Sequence, residues 1–233
     1  MEILIVGLIL SLIILYIVLD TPHDTKEREL LETVTSADRG TPAERSLVLS
    51  LLKSGIPAGA IFHDLYIKKP SGNFSQIDLV VATKAGIIVF EVKDYSGWIF
   101  GNGSHNQWTK VLAYGQEKYK FYNPIMQNNG HITALQRKLP REKVPFYSVI
   151  VFDGNCELKD ISFVPRGTFI VRPWTVLEVV NNIINENEEG CYTDKHEVVR
   201  VLKEAVENGG NAETGSQHVE NVEDMLGKHR IFE

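Results

Sequence analysis

The stretch QIDLVVATKAGIIVFEVKDYSG, residues 76–97, contains two apolar, strand-like runs that are interrupted by Asp78, Glu91 and Lys93. The segment Lys84-Ala85-Gly86 between the runs favours a turn, so the two runs are predicted to form a β-hairpin. A strand that served only a hydrophobic core would carry Val or Ile at the charged positions. The three charged residues therefore either face water or hold a ligand.

The pairing register of this hairpin decides between those alternatives. Side chains alternate across a strand, so Glu91 and Lys93 share one face. If Thr83 pairs with Gly86 across a two-residue turn, Asp78 falls opposite Glu91, with their Cβ atoms about 5 Å apart. A three-residue loop would shift the register by one residue and move Asp78 to the other face. The first register predicts two carboxylates and an amine at one place.

Such a group of side chains has a definite chemical use. Two close carboxylates repel each other unless a cation or a proton lies between them, and Mg²⁺ or Mn²⁺ prefers oxygen ligands. A nearby ammonium can orient or deprotonate a metal-bound water, or offset the charge that develops on a phosphate. These are the requirements of phosphodiester hydrolysis. The alternative is an exposed Glu–Lys–Asp group that contributes little, and the short motif alone leaves that alternative open.

Two helices carry further candidates. In the first, Thr41 is the predicted N-cap, and Glu44 either points inward or closes a capping box on the Thr41 amide. The second helix is predicted over residues 123–139, where Gln127 and His131 lie four residues apart on one face. Both could reach the hairpin charges or bond nearby backbone, and for His131 we favour the backbone role.

The remaining pattern predicts an α/β domain with a mixed sheet flanked by helices. A helix is expected from Pro42, with Gly55 as its stop. Almost wholly apolar strands are expected at 146–152 and 168–172, as in a sheet that is covered on both faces. Further predicted elements are a strand at 61–67, a hairpin of 97–100 with 107–111 around Gly101-Asn102-Gly103, and helices at 175–189 and 194–206.

The amino-terminal region predicts a membrane anchor. Residues 3–19 contain no charge and span about 25 Å as a helix, and they lack the basic start and small-residue cleavage site of a signal peptide. Basic residues follow this run but do not precede it, which predicts a single-pass protein with a cytoplasmic body. We predict an anchor at 1–20, a linker or short juxtamembrane helix at 21–39, the main domain at 40–207 and a flexible polar tail at 208–233.

Charge is unevenly distributed along the chain. The net charge is −6 overall, but residues 41–150 contain 13 basic and 7 acidic residues, whereas residues 151–233 contain 8 and 16. The basic section is suited to a nucleic-acid partner, and the acidic section to a protein partner. The alternative is that these charges only solvate the surface. Cys156 and Cys191 are far apart and suggest neither a disulfide framework nor a zinc site.

An ordered set of motifs resembles the nuclease-related domain family, which is similar to the PD-(D/E)xK, restriction-endonuclease-like superfamily. The matching positions cover about residues 40–140: Gly40, Glu44, Gln76-Ile77-Asp78, Phe90-Glu91-Val92-Lys93, Gly97, Trp108 and Asn123-Pro124 with Gln127.

The resemblance implies a restriction-endonuclease-like central mixed sheet flanked by helices, and family members often carry a membrane helix. It implies that Asp78 and Glu91 are metal ligands, Lys93 the catalytic amine, Glu44 an accessory metal-site acid and Gln127 an active-site polar residue. The expected protein is a membrane-anchored, Mg²⁺- or Mn²⁺-dependent nuclease, with DNA as the expected substrate. A catalytically inactive binding module and a structural scaffold are the alternatives.

Overall fold

A computed structural model describes residues 22–112 and 115–210 of the chain. The predicted anchor at 3–19 and most of the predicted tail at 208–233 lie outside these ranges. Within these ranges, no helix has the length and apolarity needed to cross a membrane.

The described chain alternates helices and strands and ends in two helices. Two short 3₁₀ helices lie at Ala58–Ala60 and Pro173–Thr175. The elements are, in order, α1 (Pro22–Glu32), α2 (Pro42–Lys53), β1 (Ile61–Lys68), β2 (Phe74–Thr83), β3 (Gly86–Asp94), β4 (Gly97–Asn102), β5 (Gln107–Leu112), β6 (Glu117–Tyr122), α3 (Pro124–Lys138), β7 (Phe146–Asp153), β8 (Cys156–Ser162), β9 (Thr168–Val171), α4 (Val176–Glu186) and α5 (Lys195–Gly209).

The main sheet has five strands in the order β1-β2-β3-β7-β9. Strands β1, β2 and β3 are antiparallel neighbours, whereas β3, β7 and β9 run parallel, so the sheet is mixed. The central strands β3 and β7 each contain a continuous buried run, which is why their sequences are apolar without alternation. The predicted α/β class with a mixed sheet flanked by helices is confirmed.

Helices cover both faces of this sheet. On one face, α2 and α4 contribute Leu51 and Val180 to a core that includes Phe90 of β3. On the other face, α3 and α5 contribute Leu135 and Leu202. The apolar side chains of each helix recur every three or four residues, which gives it one buried stripe and one exposed side.

A second sheet has four strands in the order β6-β5-β4-β8. The predicted hairpin is confirmed as β4 with β5, although Gly101 and Asn102 continue β4 instead of forming the turn. Strands β6 and β8 were not predicted, because EKYKFY and CELKDIS are short and rich in charge, and each contains only a brief alternation of apolar and charged residues. Trp108 of β5 stacks on Phe152 of β7 at 6.0 Å between ring centroids, which joins the second sheet to the first.

Of the two hairpin registers that the sequence left open, the structure has the one with a two-residue turn, since Thr83 pairs with Gly86 and Leu79 with Phe90. Gly86 has a φ of +144°, and a Cβ there would lie 2.3 Å from the Pro145 carbonyl oxygen. A side chain at this turn would therefore clash with the segment that enters β7. The two-residue turn and the close approach together require glycine.

Candidate active site

The alternation of side chains along β2 breaks at Asp78. The paired residues of β2 and β3 end at Leu79 and Phe90, one step before Asp78. Ile77 packs in the core beside α3 and α5, whereas Leu79 packs in the core beside α2 and α4, so two positions of the same parity face opposite sides. Oδ2 of Asp78 accepts a hydrogen bond of 2.7 Å from the Val92 amide. The Asp78 carboxylate therefore lies against the backbone of β3 next to Glu91.

A strained residue in β1 accompanies this break. Asp64 has a φ of +55°, a conformation that non-glycine residues seldom adopt. Its carboxylate accepts hydrogen bonds from Arg39 Nε at 3.0 Å and from Gln76 Nε2 at 2.8 Å, and Arg39 also donates to its carbonyl oxygen at 2.6 Å. These bonds fix the irregular conformation of β1 beside Asp78.

Glu91 is the centre of a buried polar network. Its side chain is 1% exposed, and its two oxygens face Lys93 Nζ and His131 Nε2, the latter at 3.2 Å. His131 Nδ1 lies 3.1 Å from the Ser75 hydroxyl. A carboxylate can only accept hydrogen bonds. Nε2 of His131 therefore carries the proton and donates it in a hydrogen bond to Glu91, and Nδ1 accepts a hydrogen bond from the Ser75 hydroxyl. Glu91 is thus held from both the strand and α3.

The charges of this group perturb one another. Burial raises the pKa of Asp78 well above its usual value, and the neighbouring carboxylates of Glu91 and Glu44 raise it further. Burial by itself would also raise the pKa of Glu91, but Lys93 and then His131 hold it below the usual value. For Lys93, burial would lower the pKa, and the carboxylates of Glu91 and Asp78 outweigh it and raise the pKa. Lys93 is therefore an ammonium ion, and negative charge is in excess around Asp78.

Glu44 lies inward, which answers the question that the sequence left open. The Thr41 hydroxyl accepts from the Glu44 amide at 3.3 Å and donates to Oε1 of Glu44 at 2.8 Å, so the carboxylate bonds the hydroxyl. The other oxygen, Oε2, is buried without a hydrogen-bond partner among the described residues and lies 3.4 Å from Nε2 of His63. His63 was not predicted, because a single histidine within a strand gives no signal of its own.

His131 is the residue of helix α3 that contacts Glu91. Gln127 is half-buried one turn before His131, and its side chain makes no hydrogen bond within the described part of the chain. The favoured backbone role for His131 is wrong, since its ring nitrogens contact Glu91 and Ser75. The sequence feature that could have indicated this role of His131 was its four-residue spacing from Gln127, which puts both side chains on one face of α3.

The donor atoms suit a hard cation, although their arrangement is not that of a complete metal centre. In residues 22–112 and 115–210, no group of three or more His, Cys, Asp or Glu side chains could hold a metal ion as arranged. The chemistry nevertheless fits, because Oε2 of Glu44 accepts no hydrogen bond within the described residues, and burial and then the carboxylates of Glu91 and Glu44 raise the pKa of Asp78. A divalent cation would relieve both.

The fold and the site define an α/β protein in which a buried group of carboxylates and one lysine lies beside the central hairpin of a mixed sheet. Residues 39–153 match the family model of the nuclease-related domain, and this region of the chain is a nuclease-related domain. The resemblance inferred from the motifs is thereby confirmed.

The chain is also similar to an uncharacterized protein of Bacillus anthracis, with 30% identity over 124 residues. The match covers 53% of this chain and 57% of that protein, so the chain spans little more than half the length of its relative. No solved structure matches the chain.

Proposed function

We propose that this protein hydrolyses phosphodiester bonds of nucleic acid, with DNA as the expected substrate, at the site formed by Asp78, Glu91 and Lys93. The observation that carries the proposal is the buried Glu91–Lys93 ion pair beside a carboxylate of raised pKa. A solvent-exposed surface pair would not perturb its neighbours in this way. The nuclease-related domain that contains all three residues supports the same reaction class.

The proposed cofactor is Mg²⁺ or Mn²⁺. Asp78, Glu91 and Glu44 would hold the ion, and the bound ion would supply a Lewis acid and an activated water for attack on phosphorus. The unpartnered Oε2 of Glu44 supports its role as an accessory ligand.

The protein side chains have separate roles in the proposed reaction. The Lys93 ammonium would offset the negative charge that develops on the phosphate oxygens. His131 would be a positioning residue, because its Nε2 proton holds one oxygen of Glu91 in place. The Val92 amide would do the same for Asp78. Gln127 is proposed as a polar contact for substrate, since its half-buried side chain lies on the face of α3 that carries His131.

The wider setting of the reaction is also a proposal. Residues 3–19 would anchor the protein in a membrane with its body in the cytoplasm, on the strength of their length and apolarity and of the basic residues that follow. The basic section 41–150 would meet the phosphate backbone, which makes binding sensitive to salt. The acidic section 151–233 would contact a protein partner through surface other than the edge of the main sheet that carries the candidate active site.

The test is a cleavage assay on the purified full chain in detergent, with single- and double-stranded DNA and RNA and with Mg²⁺ or Mn²⁺. Glu91→Gln should lower the rate at least about 100-fold, since it removes a preorganised charge from the site. Glu157→Gln is the matched control, because Glu157 also pairs with a lysine but is 60% exposed. Equal activity of the Glu91→Gln variant and the wild type would contradict the proposal.

A catalytically inactive binding module is the second candidate. It is favoured by the engagement of both Glu91 oxygens, one with Lys93 and the other with His131. In that case nucleic acid binds in a salt-dependent way, but no divalent cation induces turnover. The same assay separates the two candidates when binding and cleavage are measured together.

A further inference from the structure

Trp174 lies at the same edge of the main sheet as the candidate active site. Strands β3, β7 and β9 are parallel neighbours, with Lys93 level with Phe152 and Val151 level with Val171. Arg172, the next residue, is therefore level with Lys93, two strand spacings or about 10 Å away. Trp174 follows at the carboxyl ends of these strands, where ligands of open α/β sheets bind.

The Trp174 ring is exposed and has a rigid support. Its relative exposure is 74%, which is unusual for a side chain of this size. The Arg172 guanidinium lies over the ring at 4.8 Å from the centroid. Arg172 is itself fixed, because it donates to the Gly154 carbonyl oxygen at 2.6 Å and to the sulfur of Cys156. The indole thus has little conformational freedom to lose on binding a ligand.

We propose that Trp174 is a stacking site for an unpaired nucleobase of the nucleic-acid substrate, an inference that rests on the function proposed above. A flat ring with a cation beside it matches the stacking surfaces that bind single-stranded nucleic acid. A base stacked on Trp174 would place the adjacent sugar-phosphate backbone toward Lys93, because the β-strands β9 and β3 lie about 10 Å apart. The site therefore selects single-stranded or frayed segments over a closed duplex.

The surroundings of Trp174 disfavour a lipid contact. Asp94 and Asp153 end strands β3 and β7 at the same edge, and Asp94 is exposed. Contact with a bilayer would remove these carboxylates from water at a high free-energy cost. A base stacked on the ring is uncharged, so this contact leaves the two carboxylates in water.

The test compares two labelled oligonucleotides of equal length and charge, one with bases and one abasic, by fluorescence anisotropy. The full chain is used with Mg²⁺ in the Glu91→Gln background, so that the oligonucleotide stays intact. Trp174→Ala should weaken binding of the base-bearing strand about tenfold, from the usual contribution of one stacked base, and leave abasic binding within about twofold. Trp174→Phe should retain most of the affinity. Phe163→Ala is the control, because Phe163 is 76% exposed but lies in the loop that enters β9 at its opposite end.

Four results would overturn the proposal. Unchanged affinity of Trp174→Ala for the base-bearing strand refutes the stacking site alone, provided that cleavage by the wild type is intact. An equal loss for both strands indicates a structural effect. Trp174 emission quenched by brominated lipid in reconstituted vesicles, measured against Trp174→Phe, indicates a bilayer contact. Failure of the wild type to bind or cleave any nucleic acid removes the proposed function itself, and the stacking site with it.

Discussion

Replacing Lys93 with methionine tests whether the Glu91–Lys93 pair is a buried functional pair. The Glu91 side chain is 1% exposed and that of Lys93 17% exposed. Methionine keeps most of the length of the lysine side chain and removes its charge. The substitution leaves the Glu91 carboxylate buried, with His131 at 3.2 Å as its remaining side-chain partner.

The expected loss of stability follows from that burial. Removing one partner of a buried ion pair costs about 3–5 kcal/mol, because the other charge stays buried without compensation. Since His131 still contacts Glu91, we expect the lower end, about 3 kcal/mol in the free energy of unfolding. For a chain of this size the melting temperature should fall by about 6–12 °C.

The measurement is urea unfolding of the full chain in detergent, followed by circular dichroism. Lys159→Met is the matched control, because Lys159 and Glu157 form an ion pair with side chains 37% and 60% exposed. An exposed pair should cost less than about 1 kcal/mol. Lys93→Met combined with Glu91→Gln should cost less than the sum of the two single substitutions, since the double variant leaves no unpaired charge.

The reasoning is refuted if Lys93→Met and Lys159→Met cost the same small amount. Glu91 and Lys93 would then behave as a solvent-screened surface pair, which is the alternative that the sequence alone left open. The assignment of the active site would lose its main physical support, whereas the fold would be unaffected.

Three further predictions concern the metal, the glycines that flank α2 and alkaline pH. Mg²⁺ should raise the melting temperature of the wild type but not of Asp78→Asn, as measured by differential scanning fluorimetry, because the variant lacks a proposed ligand. Gly40→Ala should destabilise the protein more than Gly55→Ala in urea titrations: both positions have positive φ, but only at Gly40 would a Cβ meet His63, at 2.5 Å. Burial, and then Glu142, raises the pKa of Tyr192 to about 12, so its contribution to stability is full below pH about 10 and is lost as the pH rises toward 12. Tyr192→Phe should therefore show a smaller fall in melting temperature between pH 8 and pH 11 than the wild type.

The structure adds a residue of α3 to the candidate active site that the sequence did not place there. The resemblance implied Gln127 as an active-site polar residue, and the structure adds His131 of the same helix, which contacts Glu91. His131→Asn and His131→Ala would separate a positioning role from a packing role, because only the amide can still donate to Glu91. Partial retention of the rate by the Asn variant supports positioning.

The sequence by itself determined the class of fold, the presence of the hairpin and the start of α2, but it left two hairpin registers open. Apolar runs without alternation indicate the doubly covered strands, and Lys84-Ala85-Gly86 favours a turn, so these features follow from local patterns. The motif order around Asp78, Glu91 and Lys93 was also sufficient to indicate the nuclease-related domain. Such signals are readable because each depends on residues that are close together in the chain.

Only the tertiary structure decided how the site is built. The strained Asp64, the contact of Glu44 with His63 and the bond from His131 to Glu91 join residues from separate helices and strands. The edge strands β6 and β8 were missed for a related reason, since each is a short, charged segment that is a strand through its pairing with β5 or β4, and that pairing is known only from the fold. Long-range packing determines which polar side chains meet in the interior, and no local pattern records it.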